Sequence, residues 1–432
     1  MLARPSDSGL TALLGIAHAA VQPRLQRVIA YSSVENSGLI LAGYGVAPVG
    51  AAINDSRLMA VGLLAGTLQI IVHAAAKSLL FTASAVVTAG PDGGLSGAGD
   101  DDLDALRGSA RHRPWTGTGL AIGSLTLAGL PVTMGFVSEW FLLEALLQQF
   151  RVAELGYRLL LAIAGAAVAL TAGFAGVTFV RLTGLVVLGP RATAGMDAER
   201  RDRLSDAGVL GKAGIAILSA ACLITTALMP MVIRVVAAGL SPIVAPSTVG
   251  GARQAPWVLG PVYGSFSVLS PSWLWIVMPL LALAVLTFTR LVAGPRMTRV
   301  RRVPAWRSAT AGVEGADSYT ATGFANPTRR VLAAVLHTRA EVRPLAPQAG
   351  HDSGQAPNRE AGPPFTPVPE PRLAYSSDVI EVVETDVYRP ALRPLLAVVH
   401  VAKRLQSGRL DAYLAYMLIA LVAVLALVTA FA

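Results

Sequence analysis

Cysteine and charge are scarce in this sequence. Its 432 residues include one cysteine, Cys222, and only 14% charged residues. One cysteine excludes a disulfide framework and an iron–sulfur site, because both need several thiols. Cys222 lies inside an apolar run and is expected to pack as a small apolar residue. Soluble domains are about 25% charged, so the composition excludes a soluble enzyme.

Long apolar runs fill the sequence instead. Hydrophobic residues make up 53% of the chain, and about 20 apolar residues suffice for a helix to cross a bilayer. The runs, of which the first is short, are Leu10–Val21, Ala30–Val49, Leu58–Ala89, Trp115–Phe150, Leu155–Leu188, Lys212–Ala238, Ser272–Ala293 and Tyr413–Ala432. The sequence therefore predicts an all-α fold, a polytopic membrane helix bundle with about eight transmembrane segments.

Basic residues outnumber acidic ones, 35 to 26, and they cluster in alternate loops. The clusters lie around Arg24 and in 90–113, 189–212 and 294–411, while the loops between them hold few basic residues. The positive-inside rule then places the basic loops in the cytoplasm and both chain ends outside. We expect a multi-pass protein of the cell (inner) membrane. Because the basic residues flank apolar runs, no nucleic-acid partner is expected.

Three regions are predicted along the chain. They are a transmembrane domain over 1–293, a cytoplasmic segment over 294–411, and a C-terminal transmembrane helix over 412–432. Within the cytoplasmic segment, Ala346–Arg372 is rich in Pro, Gly and polar residues, which is typical of a flexible linker. Ser376–Tyr388 and Ala391–Leu405 show a roughly helical period and predict amphipathic helices, although a solvated tail is the alternative.

Lys77 lies deep inside the third apolar run, and His73 precedes it by one helical turn. In a helix this spacing puts both side chains on one face. An ammonium group at bilayer depth costs about 2.5–3.5 kcal/mol on insertion scales. Two interpretations follow: a protonatable relay group facing a polar interior, or a lysine that snorkels or forms a structural ion pair.

The fourth run is too long for one plain span and contains Gly129, Pro131 and Gly135. Proline removes a helix hydrogen bond and glycine loosens the backbone, so a broken helix is predicted near Pro131–Gly135. Just after the break stands Glu139, followed by Glu144. Broken helices with buried carboxylates recur in ion transporters, and a structural pair with a neighbouring helix is the alternative for Glu139.

Two further charged residues are candidate accessory groups together with Glu144. Glu35 stands near the start of the second run, among Ser32, Ser33, Asn36 and Ser37, and is expected near the membrane interface. Arg181 stands towards the far end of the fifth run, where snorkelling is expected.

Three strings resemble the antiporter-like membrane subunits shared by respiratory complex I, Mrp-type cation/proton antiporters and membrane-bound hydrogenases. They are RLQRVIAYSSVENSG (24–38), HAAAKSLLF (73–81) and LAGLPVTMGFVSEW (127–140). Two further strings resemble the large membrane subunit of formate hydrogenlyase and hydrogenase-4 in particular. They are WRSATAGVEGADSYTATGFANPTRRV (306–331) and VYRPALRPLL (387–396) with RLQSGRLDAYLAYML (404–418).

This resemblance implies translocation of protons (or sodium ions) along a buried path, with His73 and Lys77 as relay and Glu139 as exit group. The chain would be a non-catalytic membrane subunit without cofactor or metal. Its partners would be other membrane subunits and the peripheral metallo-subunits of a hydrogenase-like or complex I-like oxidoreductase. Two alternatives are a subunit of a cation/proton antiporter and a truncated structural subunit without transport.

The sequence also departs from the family pattern. In the family, a long membrane region carrying a glutamate and a lysine precedes the first string, so the resemblance implies that the chain is truncated at its N-terminus. Arg24 and Gln26 replace an aspartate and a lysine of that string, and Ser308 replaces a cysteine of the hydrogenase branch.

Overall fold

The computed structural model describes residues 4–89, 101–189, 206–264, 266–267, 270–294, 320–344, 373–379, 383–405, 417–422 and 424. Along the sequence the chain divides into two compact units, Met1–Arg330 and Val331–Ala432. Residues on both sides of the predicted boundary at 293/294 belong to the first unit, but 295–319 lie outside the described residues. The three predicted regions therefore stay a prediction.

Helices dominate the first unit. They are α1 (Pro5–Val21), α2 (Leu25–Ala52), α3 (Ser56–Thr88), α4 (Pro114–Leu127), α5 (Met134–Leu146), α6 (Leu155–Leu182), α7 (Val209–Ala227), α8 (Met229–Gly239), α9 (Pro246–Gly250), α10 (Pro271–Ala293) and α11 (Ala321–Val331). The strands β1 (Arg253–Ala255) and β2 (Val258–Leu259) form a small antiparallel hairpin between α9 and α10. The predicted all-α membrane bundle is confirmed.

Four helices among the described residues are long and apolar enough to cross a membrane by length and composition. They are Ser56–Thr88, Leu155–Leu188, Val209–Ala227 and Pro271–Ala293, the second including a π-helical end at Thr183–Leu188. The run Lys212–Ala238 forms two helices, α7 and α8, because Pro230 at the start of α8 cannot donate a hydrogen bond to the preceding turn. Most of Tyr413–Ala432 lies outside the described residues.

Helix α3 is the centre of the first unit and contacts α2, α4, α5 and α7. Small residues bring α2 and α3 together: a Cβ added to Gly43 would lie 2.7 Å from the backbone nitrogen of Gly66. Close backbone approach through glycine is a common way to pack membrane helices, where lipid supplies no hydrophobic drive for association. The helix that carries Lys77 is thus held tightly against α2.

Charged side chains cap both ends of α3. Asp55 accepts hydrogen bonds from the N–H groups of Arg57 and Leu58 at the start of α3, at 2.9 and 3.1 Å. At the other end of α3, the Arg113 guanidinium donates to the carbonyl oxygens of Val86 and Val87, at 2.8 and 3.2 Å. An anion at the N-terminus and a cation at the C-terminus both complement the helix dipole, so they stabilise α3.

Arg181 has a similar role at the end of α1. It is buried, and its guanidinium donates to the carbonyl oxygen of Gln22 at 2.6 Å. Arg329 on α11 donates to the carbonyl oxygen of Val21 at 2.9 Å. The expectation that Arg181 snorkels is wrong, because the unpaired carbonyl groups at the end of α1 bind it inside the protein.

The second unit contains α12 (Ala333–Leu336), β3 (Thr338–Pro344), β4 (Leu373–Val379) and α13 (Arg389–Leu405). The prediction of a helix over Ser376–Tyr388 is wrong in its first part, because β4 pairs with β3 in an antiparallel ladder. Such pairing with a distant segment overrides local periodicity. Ala391–Leu405 lies within α13. The predicted linker Ala346–Arg372 lies outside the described residues.

Candidate functional site

Lys77 faces the interior of the protein. Its side chain is on α3, the whole residue is only 5% exposed, and its ammonium group donates hydrogen bonds to the carbonyl oxygen of Ile29 and the hydroxyl of Ser32 on α2. The snorkelling interpretation is wrong, since a lysine that reaches the headgroups cannot make these contacts. In the part of the chain that the structure describes, Lys77 forms no direct ion pair, although it interacts electrostatically with Glu35.

Glu35 is the second charged group of the site. It is fully buried on α2, and it interacts electrostatically with both Lys77 and Glu139. Its Oε2 accepts a long hydrogen bond from Asn36 at 3.5 Å, and its Oε1 has no hydrogen-bond partner among the described residues. The expected place of Glu35 near the membrane interface stays a prediction. Helix α2 begins at Leu25, so Glu35 lies several turns inside it.

Glu139 follows the break in the fourth run, and the predicted broken helix is confirmed. Helix α4 ends at Leu127 and α5 begins at Met134. Between them Gly129 and Val132 have positive φ angles of 60° and 76°. Glu139 is 8% exposed, and within the described chain it forms no ion pair that would support the structural alternative.

The break creates space for the carboxyl group of Glu139. A Cβ added to Gly129 would lie 2.4 Å from Oε2 of Glu139, much closer than real side chains approach. A Cβ added to Gly135 would lie 1.9 Å from the carbonyl oxygen of Thr126. The backbone carbonyl thus leaves no room for a side chain at Gly135, and the positive φ favours glycine at Gly129.

A chain of buried amides and hydroxyls links the three helices that carry these charges. Ser138 on α5 donates to Oε1 of Gln69 on α3 at 2.6 Å, and Nε2 of Gln69 donates to Oδ1 of Asn36 on α2 at 2.8 Å. Asn36 in turn donates to the carbonyl oxygen of Ser32 at 2.9 Å. Each amide group accepts a hydrogen bond at its oxygen and donates one from its nitrogen, which fixes the orientation of both amides.

Sequence reasoning missed Gln69 and Ser138. The signal for Gln69 was present, because it precedes His73 by four residues and Lys77 by eight, which places all three on one helical face.

His73 is half-buried and interacts electrostatically with Lys77, and its Nδ1 is buried without a hydrogen-bond partner among the described residues. The structure therefore brings together Lys77, His73, Glu35 and Glu139. We call these four residues the charged array.

Glu144 belongs to a different cluster at the end of α5. It is fully buried, and its Oε1 accepts a hydrogen bond from the backbone N–H of Tyr263 at 2.7 Å. The Tyr263 hydroxyl donates to Oδ2 of Asp55 at 2.7 Å. Burial and the nearby Asp55 carboxylate raise the pKa of Tyr263, so its phenol stays protonated and keeps donating. Glu144 thus fastens the loop after β2 to α5.

Neither Glu144 nor Arg181 joins the charged array. Their contacts are with the loop at Tyr263 and with the end of α1. In the described parts of the chain, no three His, Cys, Asp or Glu side chains are grouped closely enough to hold a metal ion. What the charged array offers chemically is a set of buried groups that can each accept or release a proton, on helices whose spacing is fixed by hydrogen bonds.

Residues 7–163 match the family model described as NADH:quinone oxidoreductase/Mrp antiporter, transmembrane. Over that stretch the chain is similar to the antiporter-like membrane subunits of this family. The recognition from the sequence strings is confirmed, and all four residues of the charged array lie within the matched region.

Two relatives from Escherichia coli K12 match the chain over most of its length. Hydrogenase-4 component B is 27% identical over 421 residues, which cover 96% of this chain and 57% of that protein. Formate hydrogenlyase subunit 3 is 25% identical over 339 residues, 78% of this chain and 50% of that protein. The chain thus spans between half and three-fifths of the length of these curated relatives.

A solved structure shares the fold. A chain of the membrane-bound sulfane sulfur reductase, an archaeal respiratory membrane complex, superposes with a TM-score of 0.54 and 20% sequence identity. The match covers 98% of this chain and 55% of that chain.

Subunit N of NADH-quinone oxidoreductase from Geobacillus kaustophilus is 33% identical, but only over 132 residues, or 31% of this chain.

Proposed function

We propose that this chain acts in a membrane subunit that translocates protons (or sodium ions) for a hydrogenase-like or complex I-like oxidoreductase of the cell membrane. The observation that carries the proposal is the inward placement of Lys77 near the buried carboxyl group of Glu35, which in turn interacts with the buried Glu139. Charged groups at membrane depth are costly, and they are kept mainly where they pair with one another or line an ion path.

Lys77 and Glu35 would form the centre of the path. The carbonyl oxygen of Ile29 and the hydroxyl of Ser32 stabilise a proton on the lysine amine, since both accept hydrogen bonds from it. Glu35 attracts this cation, while it repels a second negative charge on Glu139. A proton that arrives at Glu35 therefore changes the free energy of the charged form of both Lys77 and Glu139. This coupling is what a relay requires.

Glu139 would pass the proton onward at the broken helix. Irregular backbone at membrane depth occurs only where it is buried in protein or lines a wet cavity. Gly129, between α4 and α5, lies directly against the Glu139 carboxyl group, so this carboxyl group is next to the irregular backbone of the break. His73, on the same helical face as Lys77, would exchange protons with the lysine side of the array.

Gln69, Asn36 and Ser138 would position the array rather than carry protons. Amide groups do not readily gain or lose a proton, but their fixed hydrogen bonds hold α2, α3 and α5 at one spacing. Because Ser138 and Asn36 are the sequence neighbours of Glu139 and Glu35, the chain of bonds fixes the backbone from which both carboxyl groups project.

Electron transfer would take place in partner subunits. Affinity purification of the tagged chain from gently solubilised membranes tests this assignment. Co-purification of metal-containing peripheral subunits is expected. Recovery of small membrane subunits alone would favour the second candidate, a cation/proton antiporter. Recovery of a metallo-complex whose ion pumping is unchanged when the array is removed would leave only a structural role.

A further inference from the structure

Helix α8 places one arginine on an otherwise apolar exposed face. Met231, Arg234, Val235 and Ala238 follow one another at helical spacing and are exposed. The opposite side, which includes Ile233, is buried in the first unit. In a protein that spans a membrane, an exposed apolar face contacts lipid. A cation on such a face needs a counter-charge or water within reach of its side chain.

A second arginine, Arg253, lines the same cavity as Arg234. The cavity has a volume of about 460 Å³ and is lined by Arg234 and Arg253 together with Ser241 and the apolar residues Ile233 and Ala237. Arg253 begins the hairpin strand β1, so the two guanidinium groups come from separate elements. Two cations that share one cavity repel each other, and this repulsion is relieved when an anion binds between them.

The described residues provide no such anion. Neither guanidinium group forms an ion pair or a hydrogen bond within the part of the chain that the structure describes, and no acidic side chain lines the cavity. The Nε of Arg253 is also buried without a partner. A buried N–H donor without an acceptor is costly, which favours a bound acceptor from outside the chain.

The surroundings point to the membrane surface. Trp257, in the hairpin that follows Arg253, is 62% exposed, and Trp273 at the start of the membrane helix α10 is 50% exposed. Tryptophan is enriched where a membrane protein crosses the headgroup region, because its ring is apolar and its N–H is polar. The arginine cavity lies in the same stretch of chain, between α8 and α10.

We propose that the cavity between Arg234 and Arg253 binds the phosphate of an anionic phospholipid. Guanidinium groups bind phosphate through paired, charge-assisted hydrogen bonds. The exposed Met231 and Val235 on the same face of α8 supply an apolar surface for the acyl chains. A soluble phosphate has no use for that apolar surface, and this favours a lipid as the ligand. The proposal does not depend on ion transport.

Native mass spectrometry of the purified chain tests the site. The probes are phosphatidylglycerol and phosphatidylcholine with identical acyl chains, and inorganic phosphate. The wild-type chain is expected to retain phosphatidylglycerol in preference to phosphatidylcholine. The variant Arg234→Ala/Arg253→Ala is expected to lose that preference, with about tenfold or greater weakening for phosphatidylglycerol, because both guanidinium groups that hydrogen-bond the phosphate are removed.

The matched control is Arg57→Ala/Arg158→Ala, which removes two exposed arginines that do not line the cavity. This control should retain the preference. An equal loss in the control, or a wild-type chain that does not distinguish the two lipids, would overturn the proposal. So would inorganic phosphate that binds as tightly as the lipid, because the ligand would then be a soluble anion. If the double variant is not recovered, Arg234→Gln alone at its exposed position carries the test.

Discussion

Gly129 lies directly against the carboxyl group of Glu139, with no room for even a methyl group between them. The φ angle of 60° at Gly129 is in the left-handed region. Residues other than glycine adopt this region at a cost of about 1–2 kcal/mol. The break between α4 and α5 and the place of Glu139 are therefore one structural feature. The backbone leaves the helical conformation at the residue that lies against the Glu139 carboxyl group.

Substitution of Gly129 by alanine should disturb this feature in two ways. The new Cβ would strain the backbone and push the Glu139 side chain away, so we expect a lower thermal unfolding temperature together with reduced ion translocation. Differential scanning measurements in detergent and a vesicle assay check both. Gly173→Ala is the control, because a Cβ there meets nothing within 4 Å on α6. Equal effects of the two substitutions would contradict this account of Gly129.

Gln69→Leu should destabilise the protein by about 1–3 kcal/mol, because Oδ1 of Asn36 would remain buried without a donor. Chemical unfolding of the variant and of the exposed-site control Gln26→Leu measures the difference. Addition of Ser138→Ala should cost less than the sum of the two single changes, since both remove the same hydrogen bond. Full additivity would show that Gln69 and Ser138 do not act together.

The hydrogen bonds of Asp206 are expected to make the free energy of unfolding depend on pH. Partial burial acts to raise the pKa of its carboxyl group. Hydrogen bonds from the Thr116 hydroxyl and from the N–H groups of Ala207, Trp115 and Thr116 outweigh this, so the pKa lies below its ordinary value. Two of these N–H groups begin α4, at 2.9 and 3.4 Å from the carboxylate. Asp206 thus caps that helix from a distant part of the chain.

The sign of the effect follows from the lowered pKa. The stabilisation by Asp206 is complete above the pKa of an unfolded aspartate, near 4, and is lost as the pH falls through the lower pKa of the folded state. The destabilisation caused by Asp206→Asn should therefore be constant from neutral pH to about 4 and shrink below it. Thermal unfolding against pH measures this. Glu154→Gln, at a helix start where the side chain caps nothing, should show no such change.

Local patterns in the sequence were sufficient to predict most helices of the first unit and the broken fourth run. Each of these depends on apolar run length or on glycine and proline positions, which act within a few residues. The inward orientation of Glu35, the cap by Asp206 and the strand β4 were not predictable in this way. They depend on contacts between segments that are distant in the sequence, and periodicity does not report such contacts.

Charge alone was also an incomplete guide to the site. Arg181 and Glu144 were candidates because they are charged and lie in apolar runs, yet they fix a helix end and a loop. Gln69 is uncharged, and it is Gln69 that connects the helices of the array. A test of helical spacing relative to Lys77 would have found Gln69, since Gln69 and His73 share the face of Lys77.

Proton movement in a Lys77→Met variant tests the central claim most directly. The assembly that co-purifies with the chain is reconstituted in liposomes and supplied with an electron donor and acceptor that its partners use, and internal pH and electron transfer are followed together. Lys403→Met, at an exposed lysine of α13, is the control. We predict that Lys77→Met abolishes proton movement while the control retains it. Proton movement at the wild-type rate in Lys77→Met, with the chain present and folded, would contradict the account.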